Sequence, residues 1–338
     1  MKGLLPLFHT KNLLCESNPI FSYKSGEDVA KFQTGGITML KKLLGIDLIE
    51  NNSVNPNLSI EYDRYADDLG CREIHFTVES EKDVFVPCYL LIPESEAPRP
   101  LIIALHGHST GVHTLLGRTK YSVDADAITS QECDFAKQAI KNGYATLCIE
   151  HRGFGDRGGD EKGAKCSEIA FRAIMLGRTL LGERVWDAHI ALSAVIESFE
   201  NLIDTDKIVC IGYSGGGTVG LNLSALDERI GTAVIVSSIS TIKDSIGAMP
   251  HCPCNYVPGI VRYFDTGNIC QLIAPRRLVV ISGDGDPLFP LRGAEECIKI
   301  AKSAFSAFDA NENIMHIICT GEHKFYPKEV WCTVNRLL

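Results

Sequence analysis

The chain has 338 residues, 45% of them hydrophobic, which suits one large α/β domain with insertions or two small ones. Its formal net charge of −9, without a long basic run, argues against nucleic-acid binding, which needs clustered Lys and Arg. Pro6, His9 and Lys11 interrupt the first apolar stretch, so a signal peptide is not expected, and no run of 18 apolar residues suggests a membrane span. The thirteen cysteines are interpreted as reduced thiols of a cytoplasmic protein.

The apolar periodicity predicts an alternation of strands and helices over most of the chain. Residues 1–70 are expected to form a helical or irregular extension, and residues 71–338 an α/β domain. This domain begins with an antiparallel pair, 73–79 and 84–93, because the first segment reads EIHFTVE with alternating polarity. The next predicted strands are 101–105, 145–149, 207–211, 232–236, 277–282 and 313–319. The predicted helices are 130–142, 183–200, 217–226, 291–308 and 327–338. Such alternation predicts a mostly parallel central sheet with helices on both faces.

Residues 239–272 interrupt this alternation with proline, cysteine and aromatic residues, and we expect them to form a small lid or cap. Within them, His251, Cys252 and Cys254 could bind a metal. No second cysteine pair at zinc spacing follows, so an ordered turn is the favoured interpretation.

The segment 208–219, IVCIGYSGGGTV, carries the strongest functional signal. Ser214 lies between Gly212 and Gly216, after an apolar strand and before a helical segment. This is the G-x-S-x-G pattern of a nucleophile elbow, in which the serine sits on a strained turn that leaves no room for flanking β carbons.

Two phosphate-binding motifs compete for the same glycines. Gly215, Gly217 and Gly220 spell G-x-G-x-x-G, but the next strand ends in Ser237 and Ser238 instead of the acidic residue that a dinucleotide site expects. A P-loop fails because no Lys-Ser/Thr pair follows the glycines. A glycine-rich turn without chemistry stays open until partners for the serine are found.

A serine nucleophile needs a histidine base, and only three histidines follow Ser214. His316 lies inside a strand-like run, and His251 precedes every plausible acid at a strand end. His323 follows the last predicted strand in a loop, where an imidazole can reach back over the elbow. We therefore predict His323 as the base.

The acid should follow the strand 277–282, where Asp284 and Asp286 both occur. The Asp-Gly dipeptide favours Asp284 as a turn residue, and the spacing to Pro290 favours Asp286 as the acid. The oxyanion donors are predicted to be the backbone N–H groups of Gly215 and of His108, which follows the strand 101–105.

His106, His108 and His113 could instead bind a metal. The H-x-H motif of metallohydrolases carries an aspartate two residues further on, where this chain has Thr110. No metal is therefore predicted, and the oxyanion loop is preferred.

With Ser214, Asp286, His323 and the HGHS loop at 106–109, the chain resembles the α/β-hydrolase superfamily, and within it the acetyl-xylan esterase and cephalosporin-deacetylase-like (dienelactone-hydrolase-like) branch. The segments EHRGFGD at 150–156 and GERVWD at 182–187 support this resemblance. Members of that branch typically show Arg-Gly-Gln and His-Glu where this chain has Arg-Gly-Phe at 152–154 and His-Lys at 323–324. The resemblance implies the α/β-hydrolase fold and a Ser-His-Asp triad.

Four residues near strand ends are candidates for the substrate pocket: Phe154, Trp186, Tyr213 and Arg152. Core packing is the alternative for each aromatic residue, and bidentate hydrogen bonding between loops is the alternative for Arg152.

We therefore predict a serine carboxylic-ester hydrolase, in particular an acetyl esterase on a small or sugar ester, that needs no cofactor. Its expected partner is a small-molecule ester, with no nucleic acid and no membrane, and the sequence leaves a homo-oligomer open. The alternatives are a serine peptidase or dienelactone-hydrolase-like enzyme on the same fold, and a non-catalytic binding protein that kept the fold.

Overall fold

The structure, a computed structural model, describes residues 6–338. The first five residues, part of the segment weighed as a signal peptide, lie outside the described chain. Between residues 6 and 338, no helix combines the length and the apolar character that crossing a bilayer requires.

One twisted sheet organises the molecule. Its strands, within the described residues, are β1 (Leu58–Ala66), β2 (Cys71–Glu81), β3 (Val84–Ile92), β4 (Arg99–Leu105), β5 (Ala145–Ile149), β6 (Ile203–Tyr213), β7 (Thr232–Val236), β8 (Arg277–Gly283) and β9 (Ile314–Cys319). The spatial order is β1-β2-β3-β5-β4-β6-β7-β8-β9. The pairs among β1, β2, β3 and β5 are antiparallel, and all pairs from β5 to β9 are parallel. This confirms the predicted fold class.

The α-helices within the described residues are α1 (Pro6–Cys15), α2 (Val29–Leu44), α3 (Ile46–Glu50), α4 (Asp124–Gln131), α5 (Phe135–Lys141), α6 (Cys166–Met175), α7 (Leu180–Phe199), α8 (Gly215–Leu226), α9 (Thr266–Gln271), α10 (Leu291–Ala307) and α11 (Pro327–Leu337). Short 3₁₀ turns lie in several loops, among them Pro253–Asn255 in the segment after β7.

The central strands are apolar on both faces, and β4 shows why. Leu101, Ile103 and Leu105 point into one core with residues of α2, α7 and α8, whereas Ile102 and Ala104 point into a second core with residues of α5 and α11. Because successive side chains of a strand alternate between faces, a strand buried on both sides must be apolar throughout. The uninterrupted apolar run PLIIAL therefore indicates that β4 is a central strand of the sheet.

The expected extension, residues 1–70, contains an edge strand that the sequence analysis missed. β1 pairs with β2 through a register that runs from Leu58 opposite Val78 to Ala66 opposite Cys71. Most β1 side chains are at least partly exposed, since they lie on an edge strand. Its sequence, LSIEYDRYA, therefore lacks the apolar period that identifies a half-buried strand. The description of 1–70 as helical or irregular was wrong for these nine residues.

The predicted helix 130–142 corresponds to α5, and only its first two residues belong to α4, a helix that the sequence did not predict. Glu132 adopts a left-handed conformation with φ of 54°, which ends α4 and redirects the chain into α5. The backbone carbonyl of Gln131 accepts a hydrogen bond from the N–H of Phe325, which ties this break to the loop before α11. A tertiary contact therefore accompanies a break that the local apolar pattern did not reveal.

The segment 239–272 has two parts. Residues 250–252 and Asn255 line a cavity above the carboxyl ends of the strands. The remainder leads into α9, whose Ile269 and Cys270 pack into the first core. The lid function expected of this segment stays a prediction.

Candidate active site

Ser214 occupies the sharp turn between β6 and α8. Its backbone has φ of 53° and ψ of −121°, a region that a non-glycine residue enters only under constraint. A β carbon on Gly212 would collide with the backbone of Gly216, and one on Gly216 would collide with the carbonyl of Leu105. The two glycines are therefore needed for α8 to approach β4 and β6 closely, as the elbow pattern predicts.

Ser214, His323 and Asp286 form one hydrogen-bonded chain. The Nε2 atom of His323 lies 2.8 Å from the Oγ atom of Ser214, and its Nδ1 atom lies 2.8 Å from Oδ2 of Asp286. An ionised carboxylate only accepts hydrogen bonds, so Nδ1 carries a proton and Nε2 of the neutral ring is left to accept the serine hydroxyl. This is the tautomer that a general base for Ser214 requires.

The Asp286 carboxylate is fixed by its own loop. Its Oδ1 atom accepts hydrogen bonds from the N–H groups of Leu288 and Phe289 at 2.9 and 3.0 Å, which leaves Oδ2 for the imidazole. Asp284 has a different role, because its carboxylate accepts from the N–H of Gly321, at the start of the loop that carries His323. Both aspartates that the sequence placed after β8 thus hold the histidine loop, and Asp286 contacts the ring itself.

Aromatic side chains flank the imidazole on two sides. The ring of Phe289 stacks on His323 with centroids 5.9 Å apart, and Tyr213 lies 5.5 Å away at a tilt. The Tyr213 hydroxyl donates to the His323 carbonyl at 3.3 Å. These contacts restrict the imidazole to the orientation that faces Ser214.

The two predicted oxyanion donors, the backbone N–H groups of Gly215 and His108, belong to residues beside Ser214. Gly215 is the first residue of α8, where the helix geometry leaves N–H groups without intrahelical acceptors. Gly107 packs against Tyr213 and Ser214, which brings the β4 loop, and with it His108, to the same side of the elbow. Both Gly215 and His108 line the cavity, together with the serine.

The cavity has a volume of about 370 Å³ and opens over the serine. Of the candidate pocket residues, Tyr213 lines it. The sequence analysis missed several lining residues that follow elements it had located, such as Phe289 directly after the acid loop and His251 in the expected lid. Burial lowers the pKa of His251, as do the nearby imidazoles of His108 and His323. The lining residues are His108, Gln131, Tyr213, Ser214, Gly215, Pro250, His251, Cys252, Asn255, Leu288, Phe289 and His323.

Trp186 and Phe154, predicted as pocket residues, do not line this cavity, and core packing, the alternative for each aromatic residue, describes their contacts. The indole N–H of Trp186 donates to the carbonyl of Ser80 at 2.8 Å, and its ring belongs to the first core. Phe154 is 1% exposed and packs beneath the oxyanion loop, with its ring edge-on to His108 at 5.6 Å. Phe154 follows the end of β5 and Trp186 lies within α7, and both side chains turn towards the protein interior.

Arg152 is also absent from the cavity lining. Its contacts match the alternative given for it, bidentate hydrogen bonding to other parts of the protein. Its guanidinium donates two hydrogen bonds of 2.8 Å to Asp187 and one to Glu81, and lies 3.2 Å from Glu183. Burial alone would raise the pKa of Asp187, but Arg152 and Arg157 outweigh it and hold that pKa well below its usual range. The arginine is committed to carboxylates of the protein itself.

The three histidines of the loop after β4 do not converge on one point. His106 Nε2 lies 3.3 Å from Glu150, and His113 Nε2 lies 3.0 Å from Asp124. His108 instead points away from both, with its Nε2 atom 3.3 Å from the sulfur of Cys254.

Comparisons with known proteins show the family to which the chain belongs. Residues 45–240 match the family model described as acetyl xylan esterase (AXE1). YtaP of Bacillus subtilis (strain 168), which bears the name of a hydrolase, is 28% identical over 245 residues, 66% of this chain and 78% of that protein.

Solved structures share the fold. A protein of Bacteroides fragilis NCTC 9343, named as an acetyl xylan esterase, superimposes with a TM-score of 0.81 at 15% identity over 99% of this chain and 95% of its own. A CE15 glucuronoyl esterase from Teredinibacter turnerae T7901 gives a TM-score of 0.65 at 15% identity, covering 96% of this chain and 90% of the other. The family model spans more than half of the chain, and the chain therefore belongs to the acetyl xylan esterase family, a family of ester-bond hydrolases.

Proposed function

We propose that the protein hydrolyses carboxylic esters through Ser214, His323 and Asp286, with an acetyl group on a small or sugar ester as its substrate. The observation that carries the proposal is the pair of 2.8 Å contacts that joins the serine, the imidazole and the carboxylate. The strained backbone of Ser214 supports it, because strain of this kind concentrates where geometry is functional.

The reaction proceeds in two halves. Nε2 of His323 takes the proton of Ser214 as Oγ bonds to the ester carbonyl carbon, and Asp286 stabilises the imidazolium. The N–H groups of Gly215 and His108 stabilise the negative charge on the former carbonyl oxygen. The imidazolium then gives its proton to the leaving alcohol. Water, deprotonated by the same imidazole, attacks the acyl-serine, and the carboxylic acid leaves as Ser214 regains its proton.

The cavity supports a small, uncharged acyl group. A volume of about 370 Å³ is near the lower end of ligand sites, which span about 300–1,000 Å³. Its lining among the described residues contains histidine, glutamine and asparagine but neither arginine nor lysine, so hydroxyl groups of a sugar find hydrogen-bond partners and a carboxylate finds no permanent cation.

The first experiment measures hydrolysis of p-nitrophenyl acetate by Ser214→Ala, with Ser306→Ala as the matched control on the exposed end of α10. Loss of the nucleophile should lower kcat by about 10⁶-fold if the three residues act as a unit. The control should match the wild type. A Ser214→Ala variant with near-normal turnover would contradict the proposal.

A second experiment separates the alternatives. A fluorophosphonate probe should label Ser214 and leave Ser214→Ala unlabelled, whereas a non-catalytic scaffold would remain unlabelled in both forms.

A substrate series then defines the acyl group and the alcohol. Hydrolysis rates are measured on aryl acetate, butyrate and hexanoate, on an acetylated xylo-oligosaccharide, on a glucuronoyl methyl ester and on a peptide anilide. We expect acetyl esters to lead, with each mismatch of the acyl pocket costing at least about tenfold. A preference for the glucuronoyl ester or the anilide would overturn the acetyl assignment but retain the serine mechanism.

A further inference from the structure

Three thiols and one imidazole meet beside the oxyanion loop. His108 follows β4, Cys166 is the first residue of α6, and Cys252 and Cys254 belong to the segment after β7. One ligand atom of each residue, an imidazole nitrogen or a sulfur, lies within 4.8 Å of all the others. We call these four residues the Cys₃His cluster.

The spacing of the cluster suits a tetrahedral metal centre. Zinc binds thiolate sulfur at about 2.3 Å and imidazole nitrogen at about 2.0–2.1 Å, which places the ligand atoms of a Cys₃His site about 3.5–4 Å apart. The measured contact between Nε2 of His108 and Sγ of Cys254 is 3.3 Å, and the whole cluster lies within 4.8 Å. All three cysteines carry free thiols, so none of the sulfurs is committed to a disulfide.

Surrounding groups favour ionised sulfur at this position. Nη2 of Arg184 lies 3.1 Å from the sulfur of Cys166, and the same guanidinium is held by the Arg152 carbonyl. A thiolate at Cys166 would therefore have a charged hydrogen-bond donor beside it.

We propose that the Cys₃His cluster of His108, Cys166, Cys252 and Cys254 binds one thiophilic divalent cation, of which zinc is the expected member. Four protein ligands complete a tetrahedral shell, as structural zinc sites have, so the ion has no open position for water or substrate. Metal binding releases the remaining thiol protons and ties together three segments that are distant in sequence.

The position of the site gives the metal an indirect role in catalysis. His108 offers its ring to the metal and its backbone N–H to the oxyanion, and Cys252 lines the cavity. The ion would fix the His108 backbone and one wall of the pocket. Metal binding itself does not depend on the esterase mechanism, whereas the expected effect on turnover rests on the proposed function.

The test uses the full chain, purified under reducing conditions without chelator. Native mass spectrometry and elemental analysis should find one zinc ion per chain. After removal of zinc, added Co²⁺ should produce a thiolate-to-cobalt charge-transfer band together with tetrahedral d–d bands. Re-addition of Zn²⁺ should raise the Tm of the stripped wild-type protein. This measurement needs no variant, so it tests the proposal even if a cysteine variant fails to fold.

Variants assign the ligands. Cys254→Ser and Cys166→Ser should each weaken zinc binding by more than the about 10–100-fold that loss of an outer-shell partner causes. Cys210→Ala, a buried cysteine outside the cluster, and Ser214→Ala should keep one zinc ion, which separates this proposal from that for the triad.

The proposal is overturned if the reduced wild type binds neither Zn²⁺ nor Co²⁺ at one equivalent, if Cys254→Ser binds as tightly as the wild type, or if two cluster cysteines form a disulfide that persists in reductant. If zinc binds but stripped and loaded proteins hydrolyse esters at the same rate, the metal site stands and its link to the oxyanion donor fails.

Discussion

The imidazole of His108 packs so closely on Gly215 that a β carbon added to Gly215 would lie 2.7 Å from the ring's Nδ1 atom. The two residues thereby lie in direct contact across the elbow, and each is proposed to give one N–H to the oxyanion. A side chain at position 215 would therefore displace the His108 ring.

Gly215→Ala should therefore lower kcat without a matching rise in KM. The added methyl group pushes His108 away, and loss of one well-placed oxyanion donor costs about 10²–10³-fold in kcat. Steady-state kinetics on p-nitrophenyl acetate measures the effect. Gly231→Ala is the control, because its β carbon would meet its nearest neighbour at an ordinary 3.8 Å. Equal kcat values for the two variants would show that His108 supplies no donor.

Asp187→Asn should destabilise the protein at neutral pH by about 3–5 kcal/mol, because it leaves the buried cations Arg152 and Arg157 without their shared carboxylate. The pKa of Asp187 is lowered in the folded state, so its stabilising effect is complete above the unfolded-state value near 3.9 and fades as pH falls below it. Urea unfolding should show a large difference between wild type and variant at pH 7 and a smaller one near pH 3.

The control for this measurement is Asp63→Asn, which removes an exposed ion pair with Arg72. Such pairs contribute about 0–1 kcal/mol, so this variant should stay close to the wild type at both pH values. A difference for Asp187→Asn that is independent of pH would contradict the assignment of its stabilising charge.

Trp186→Phe should reduce stability and leave catalysis intact. The substitution removes the donor to the Ser80 carbonyl, at a cost of about 1–3 kcal/mol, but touches no cavity wall. We expect kcat/KM within about twofold of the wild type, because no transition-state contact is lost. Tyr213→Leu, in the cavity wall, should instead lower kcat/KM by up to about tenfold, since it removes an aromatic contact with His323. A large rise in KM for Trp186→Phe would indicate that the indole contacts the substrate after all.

The sequence was sufficient to predict those elements that depend on residues close together in the chain. The elbow at Ser214 follows from glycine spacing, because only residues without β carbons permit the close approach of α8 to the preceding strands. Chain order and strand ends were enough to select His323 and Asp286 from ten histidines and two neighbouring aspartates. The central strands were recognisable because burial on both faces demands an apolar run. The edge strand β1 was not, since an exposed edge carries no such pattern.

Only the tertiary structure decided where side chains point and which distant residues meet. Arg152 follows β5 and Trp186 lies in α7, but hydrogen bonds to the buried Asp187 carboxylate and to the Ser80 carbonyl hold their side chains away from the cavity. The Cys₃His cluster shows the same limit, because Cys166 precedes Cys252 by a long stretch of chain and no zinc spacing links them. Periodicity and turn chemistry are properties of neighbours along the chain, so the sequence by itself determined the fold class and the candidate triad. The convergence of β4, α6 and the segment after β7 depends on packing across the sheet, which no local pattern records.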